Sequence, residues 1–281
     1  MKNWRFAFSR RWFGYLGLAV IFAIGCVLLA NWQVARRNEA LAEIARVADN
    51  WEANPRQISE VLPTLDSWNN NDKWVPLAIT GHYLVAQQLL VRGRPLNGNA
   101  GFEVLAPFQL ANGEIFVVDR GWLPTGSSQD EPDFIPASPA GTVTVVVRLK
   151  PSEPIVLGRS APAGQIATIH LPDIAQRVGE STYTGAYGLM ASEDPATAVR
   201  PTAFDKPIAD EGPHLSYAFQ WIAFGVMGFF GLGWAIRQEY RILNAAEPEE
   251  AKRAAERKRR ADVKPRTDAE VEDQLLDSLN R

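Results

Sequence analysis

Two uncharged apolar runs bracket the chain, the first from Trp12 to Ala35 and the second from Leu215 to Ile236. At a rise of roughly 1.5 Å per residue they reach about 36 and 33 Å, enough to cross a hydrocarbon core of ~30 Å. The pattern therefore predicts two transmembrane helices, over 12–35 and 214–236. The intervening stretch, 36–213, is too polar for lipid and is expected to form one folded domain on one side of the membrane. Residues 1–11 and 237–281 are left as a basic N-terminus and a charged tail.

Within 36–213 the period changes. Arg36 to Val47 holds good helix formers without Gly or Pro and extends the first helix outward. A short amphipathic helix is expected over Arg56 to Leu62. Short runs rich in Val, Ile, Leu and Phe, separated by Gly, Pro and Asn, then predict strands over Trp74–Thr80, Gln88–Arg94, Glu103–Gln109, Ile115–Asp119 and Val143–Lys150. Asn112-Gly113 marks a hairpin. Gly126 to Gly141 reads as a surface loop, Ile166–His170 as a strand, Pro172–Val178 as a short helix and Tyr187–Ala191 as a last strand. The fold class expected is an α+β membrane protein, with two transmembrane helices flanking an antiparallel, β-rich, barrel-like extracytoplasmic domain.

Charge placement sets the orientation. Lys2, Arg5, Arg10 and Arg11 precede the first run without an acid among them, and Arg237 and Arg241 follow the second. From Asn38 to Pro213 there are 12 Lys and Arg against 21 Asp and Glu, a net of −9. By the positive-inside rule both termini are cytoplasmic and the acidic domain is extracytoplasmic. The nearness of the first run to Met1 favours a bacterial plasma membrane over an organelle. The single cysteine, Cys26, excludes an internal disulfide or a Cys-ligated zinc. It is expected to be a small apolar residue in the span, a weak lipoprotein-like box around it being the alternative. The tail from Glu247 to Arg281 alternates acids and bases, which fits attraction to lipid headgroups better than to nucleic acid.

Candidate chemistry is sparse. No Gly-x-Ser-x-Gly elbow, His-Glu-x-x-His or phosphate loop is present. His82 and His170 read as strand-end residues, and a hydrolase built on either is a remote alternative. His214 differs because it stands at the outer end of the second span, with Tyr217 and Trp221 on nearly the same helical face. One reading is an interfacial aromatic belt; the other is a haem site with an imidazole as axial ligand. Trp32, Gln33 and Arg36 lie where the first helix leaves the membrane. Arg36 either snorkels or meets a carboxylate such as a haem propionate, together with Arg92, Arg94 or Arg120. Asp119-Arg120-Gly121-Trp122 reads as a tight turn whose Trp plugs the core. In the spans, Gly14, Gly17 and Gly25 share one face, and Gly225 and Gly228 lie on a side with Ala218, so the helices are expected to pair with each other or with a partner.

These pieces occur in an order that resembles the Surfeit locus protein 1 (SURF1) family. The residues that carry the likeness are Trp32-Gln33 with Arg36, Gly81 and Tyr83, Arg94-Pro95, Gly98, Gly101-Phe102, Pro107-Phe108, Asn112-Gly113, Arg120-Gly121-Trp122-Leu123-Pro124, and Pro213 through Trp221. Asn31, Asn38 and Glu39 depart from the family pattern. The resemblance implies a non-enzymatic assembly factor for haem-copper cytochrome c oxidase that aids haem a delivery to the catalytic subunit alongside other assembly factors. It also implies haem a binding through His214 as ligand of the iron; with that, the helical face and the interfacial charges make Tyr217, Trp221, Arg36 and Arg120 the further cofactor-binding candidates. The alternative is a haem-free scaffold for the nascent oxidase subunit.

Overall fold

The computed structural model describes residues 4–127 and 130–263. The chain divides into two compact units, Met1–Arg37 with Gly212–Arg281, and Asn38–Glu211. In chain order the elements are α1 (Arg10–Asn50), α2 (Ile58–Val61), β1 (Pro76–Tyr83), β2 (Leu89–Arg92), β3 (Gly101–Leu110), β4 (Ile115–Pro124), β5 (Val143–Pro151), β6 (Gln165–Ile166), α3 (Leu171–Val178), β7 (Ala186–Asp194), α4 (His214–Leu243) and α5 (Pro248–Val263). The expected strand over Ile166–His170 shrinks to β6, because His170 takes the N-cap position of α3. Beyond Val263 the tail lies outside the described residues.

In the unit Asn38–Glu211, strands β1, β5, β7, β4 and β3 pair in sequence, and β3 pairs back onto β1 through Gly81–Leu110 to Tyr83–Phe108. This closes a barrel-like ring of five strands. Directions cannot alternate all the way round an odd ring, so one neighbouring pair must be parallel. That pair is β4 and β7, joined at Val118–Gly188 and Asp119–Leu189. The expected antiparallel, barrel-like domain is found, with parallel pairing confined to this contact and to the short pair of β2 with β6. The remaining pairs are antiparallel. The Asn112-Gly113 hairpin joins β3 to β4, with the Leu110 N–H donating to the Glu114 carbonyl at 2.8 Å.

The apolar alternation of β1 and β5 sends Leu77, Ile79, Val143, Val145, Val147 and Leu149 into one interior, with Phe108, Phe116 and Met190. Strand β4 is buried along nearly its whole length, so it reads as a continuous apolar run rather than an alternating one. Its Phe116 and Val118 join that interior, while Val117 points into a second core with Leu105, Tyr187 and Leu189. This second core is covered by Val47 of α1, by Trp51 just past its end, and by Leu171 and Ile174 of α3. Trp74 is not in a strand: its φ is +72°, a conformation costly for a bulky side chain. It is held by packing on Trp51 and by its indole N–H, which donates to Glu43 at 2.9 Å. Glu43 also accepts from Lys73 and Arg46. These hydrogen bonds outweigh the upward push of burial and bring its carboxyl down to about 2.

The Asp119-Arg120-Gly121-Trp122 segment is a bulged strand and not the tight turn expected. Asp119 pairs with Leu105 and Trp122 with Glu103, so Arg120 and Gly121 together oppose one residue of β3. Gly121 takes φ +129°, and a Cβ there would run into the Thr202 carbonyl. A bulge of this kind re-aims the side chain beside it. Here Arg120 is fully buried, 3.2 Å from Glu193, and its guanidinium donates to the Pro136 carbonyl at 3.1 Å.

Candidate functional site

Two helices are long and apolar enough to cross a membrane, α1 and α4, and the unit Met1–Arg37 with Gly212–Arg281 holds α4 and the apolar part of α1. They pack against each other. Small residues on α4 make this possible: Gly225 lies where a Cβ would sit 3.4 Å from the Cys26 Cβ, and Gly228 lies against Phe22. On α1 these glycines face Phe22 and Cys26, and Cys26 is buried. Gly14, Gly17 and Gly25 do not take part, since a Cβ on any of them meets nothing within 4 Å. At the far end Trp4 stacks on Tyr240 at 4.4 Å, and Arg11 is ion-paired with Glu239.

The same packing brings Gln33 of α1 to His214, the first residue of α4. The His214 Nδ1 and the Gln33 Oε1 are 2.8 Å apart. An amide oxygen only accepts, so Nδ1 is the donor of this bond, and in the neutral ring that tautomer leaves the lone pair on Nε2. The local chain supports this placement. Gly212 turns at φ +68° and Pro213 occupies the N-cap position, which starts the helix at His214. A Cβ on Gly212 would stand 3.3 Å from the imidazole Cδ2 and Nε2, so that side of the ring stays open because the residue is glycine.

The other candidate residues are placed as follows. Tyr217 is exposed and Trp221 half-buried on α4, Trp221 meeting Phe224 edge-on at 5.8 Å. Arg36 is exposed on α1, one turn past Gln33. Arg120 is a correction: it belongs to the interior of the β-domain, committed to Glu193, and is not available to a ligand. Arg94 is likewise engaged, bridging Glu103 at 3.0 Å and Glu153 at 2.5 Å, and Arg92 pairs with Asp130 at 2.6 Å. His170 lies 3.0 Å from Asp173 of α3. Gln33 and Gly212 are the residues whose part was missed. The signal was available for Gln33, because a polar residue at the outer end of one span must find a partner at the outer end of the other if the two pair.

This arrangement can present one imidazole nitrogen, with its ring orientation fixed from behind, beside two aromatic side chains. A hydrogen bond to the remote nitrogen is the usual way a metal-ligating histidine is held in one tautomer. The donor set suits a group that needs a single protein ligand, as a haem does. Among the described residues no three His, Cys, Asp or Glu side chains converge as a caged metal ion would require.

Comparison with known proteins agrees with the order of motifs. A SURF1-like protein of Mycobacterium bovis is 33% identical over 237 residues, covering 81% of this chain and 85% of its own. A SURF1-like protein of Mycobacterium tuberculosis matches equally. A SURF1-like protein of Dictyostelium discoideum is 27% identical over 110 residues, 37% of this chain and 41% of its own. The sequence model of the SURF1 family matches residues 20–226, from within the first span to within the second, and the chain belongs to that family.

Proposed function

We propose that this protein is an assembly factor for haem-copper cytochrome c oxidase that holds haem a as cargo and passes it to the catalytic subunit. Membership of the SURF1 family supports the assembly role. The observation that carries the cargo reading is the His214–Gln33 hydrogen bond at 2.8 Å, which engages Nδ1, orients the ring and makes Nε2 the nitrogen to offer to a ligand. His214 would hold haem a through this nitrogen, as a ligand of its iron. One protein ligand suits a carrier, because a receiving site that offers two can outcompete it. Tyr217 and Trp221 supply aromatic surface beside the imidazole, and Arg36 a guanidinium for a propionate. In this reading α1 and α4 cross a bacterial plasma membrane, both termini are cytoplasmic and the β-domain faces the oxidase subunit outside. Lipid and other assembly factors complete its surroundings.

The test is a reduced-minus-oxidised spectrum of membranes from cells lacking the protein, complemented with the wild type or with His214→Ala. Restoration of the oxidase haem a band by the wild type but not by the variant supports the cargo reading. Full restoration by His214→Ala contradicts it and leaves the haem-free scaffold, whose work would fall to the β-domain. A normal band in the uncomplemented cells would remove the assembly role itself.

A further inference from the structure

At the opposite end of α4 from His214 a second site is built. Past the apolar run, a cavity of about 340 Å³ between α4 and α5 is lined by Arg237, Arg241, Arg253, Arg257, Trp4 and Tyr240. One carboxylate enters it, that of Glu250, 3.1 Å from Arg253 and 3.8 Å from Arg257. Four guanidiniums thus face one acid, and the cavity keeps an excess of positive charge. Guanidinium forks match phosphate oxygens in pairs, so the preferred guest is a phosphate group. An apolar groove of about 520 Å³ shares Gly233 and Arg237 with this cavity and continues along α4 past Trp234, Phe230, Phe229 and Val226. Gly233 leaves the junction open, since a Cβ there would meet nothing within 4 Å.

A charged pocket that opens directly into an apolar groove has the layout of an amphiphile. We propose that this is a binding site for one anionic phospholipid, its phosphate among the four arginines and an acyl chain along Phe230 and Trp234. Charge complementarity selects an anionic headgroup over a zwitterionic one, whose ammonium would meet the same guanidiniums. The stacked Trp4 and Tyr240 rings stand at the pocket wall, the depth at which such aromatics gather in membrane proteins. The site depends on α4 spanning a membrane and is independent of haem.

Native mass spectrometry of the full-length protein in detergent, offered equal amounts of phosphatidylglycerol and phosphatidylcholine, tests it. The expected result is a single retained phosphatidylglycerol, favoured by at least about tenfold, as several guanidiniums acting together on one phosphate imply. Arg253→Gln with Arg257→Gln should bring the two lipids towards parity; both side chains are about half exposed, at 56% and 44%, and a Gln amide can still donate to Glu250. Gly233→Leu should displace the lipid while leaving every arginine in place. Inorganic phosphate alone should not compete, because it cannot use the groove. Equal retention of the two lipids by the wild type, insensitivity to either variant, or displacement by inorganic phosphate would each overturn the proposal.

Discussion

Glu193 receives hydrogen bonds from Arg120 at 3.2 Å, Tyr83 at 3.2 Å and Thr197 at 2.9 Å, at a point where its own side chain has no contact with water. A buried guanidinium whose carboxylate is removed has no solvent to turn to, and breaking such pairs costs about 3–5 kcal/mol. Glu193→Ala should therefore lower the melting temperature sharply, and Glu193→Gln, which keeps an acceptor, should lower it less. Asp119, one residue before Arg120, behaves oppositely. Burial, then the charge of Glu103, push its carboxyl well above the ordinary range, against the Gly121 N–H that donates to it at 3.1 Å. Once the pH passes the ordinary aspartate value, the unfolded chain has released a proton that the folded chain still holds, so stability falls as pH rises. Asp119→Asn removes this dependence. Thermal melts from about pH 4 to pH 7 should show the variant gaining on the wild type as the pH rises, and parallel curves would contradict the assignment. None of this was legible in Asp-Arg-Gly-Trp. A glycine between a charge and a large aromatic fits a turn and a bulge equally well, and the residue that decides, Glu193, lies 73 positions away from Arg120.

At the scale of elements, the pairing of α1 with α4 rests on Gly225 and Gly228 of α4 set against Cys26 and Phe22 of α1. Gly225→Leu should overpack the contact with Cys26 and cost about 1–3 kcal/mol, whereas Gly14→Leu, in open space, should be close to neutral. The contact can also be captured covalently. A Cβ at position 225 falls 3.4 Å from the Cys26 Cβ, at the short edge of the range that disulfides use. Under mild oxidation, Gly225→Cys should lose both thiols to maleimide labelling as a monomer; persistent labelling, or dimers alone, would contradict the pairing. The glycines of both spans were visible in the sequence, but not which of them mattered. Helical period shows that Gly14, Gly17 and Gly25 share a face, and only the position of the partner helix shows that Phe22 and Cys26 lie on the packed one. The strands tell a similar story. Alternation located β1 and β5 well, and missed the extent of β4, because a strand buried on both faces loses its period.

For the whole molecule, two apolar helices and a β-rich domain between them could be read directly, since length, hydropathy and turn residues are local properties. Closure of the ring could not, because it depends on β3 returning to β1 and on the parallel contact of β4 with β7, both far apart in the chain. The candidate site lies between these cases. His214, Tyr217 and Trp221 were legible from their place on one helix, and the Gln33 contact needed the fold. The account as a whole turns on whether the imidazole that Gln33 orients is the point of attachment for haem a. The direct measurement is the haem a content per chain of the purified full-length protein from cells making haem a, read from its visible spectrum. The wild type should carry haem a, Gln33→Leu less of it, and His214→Ala essentially none; an undiminished haem a spectrum in His214→Ala would contradict the account.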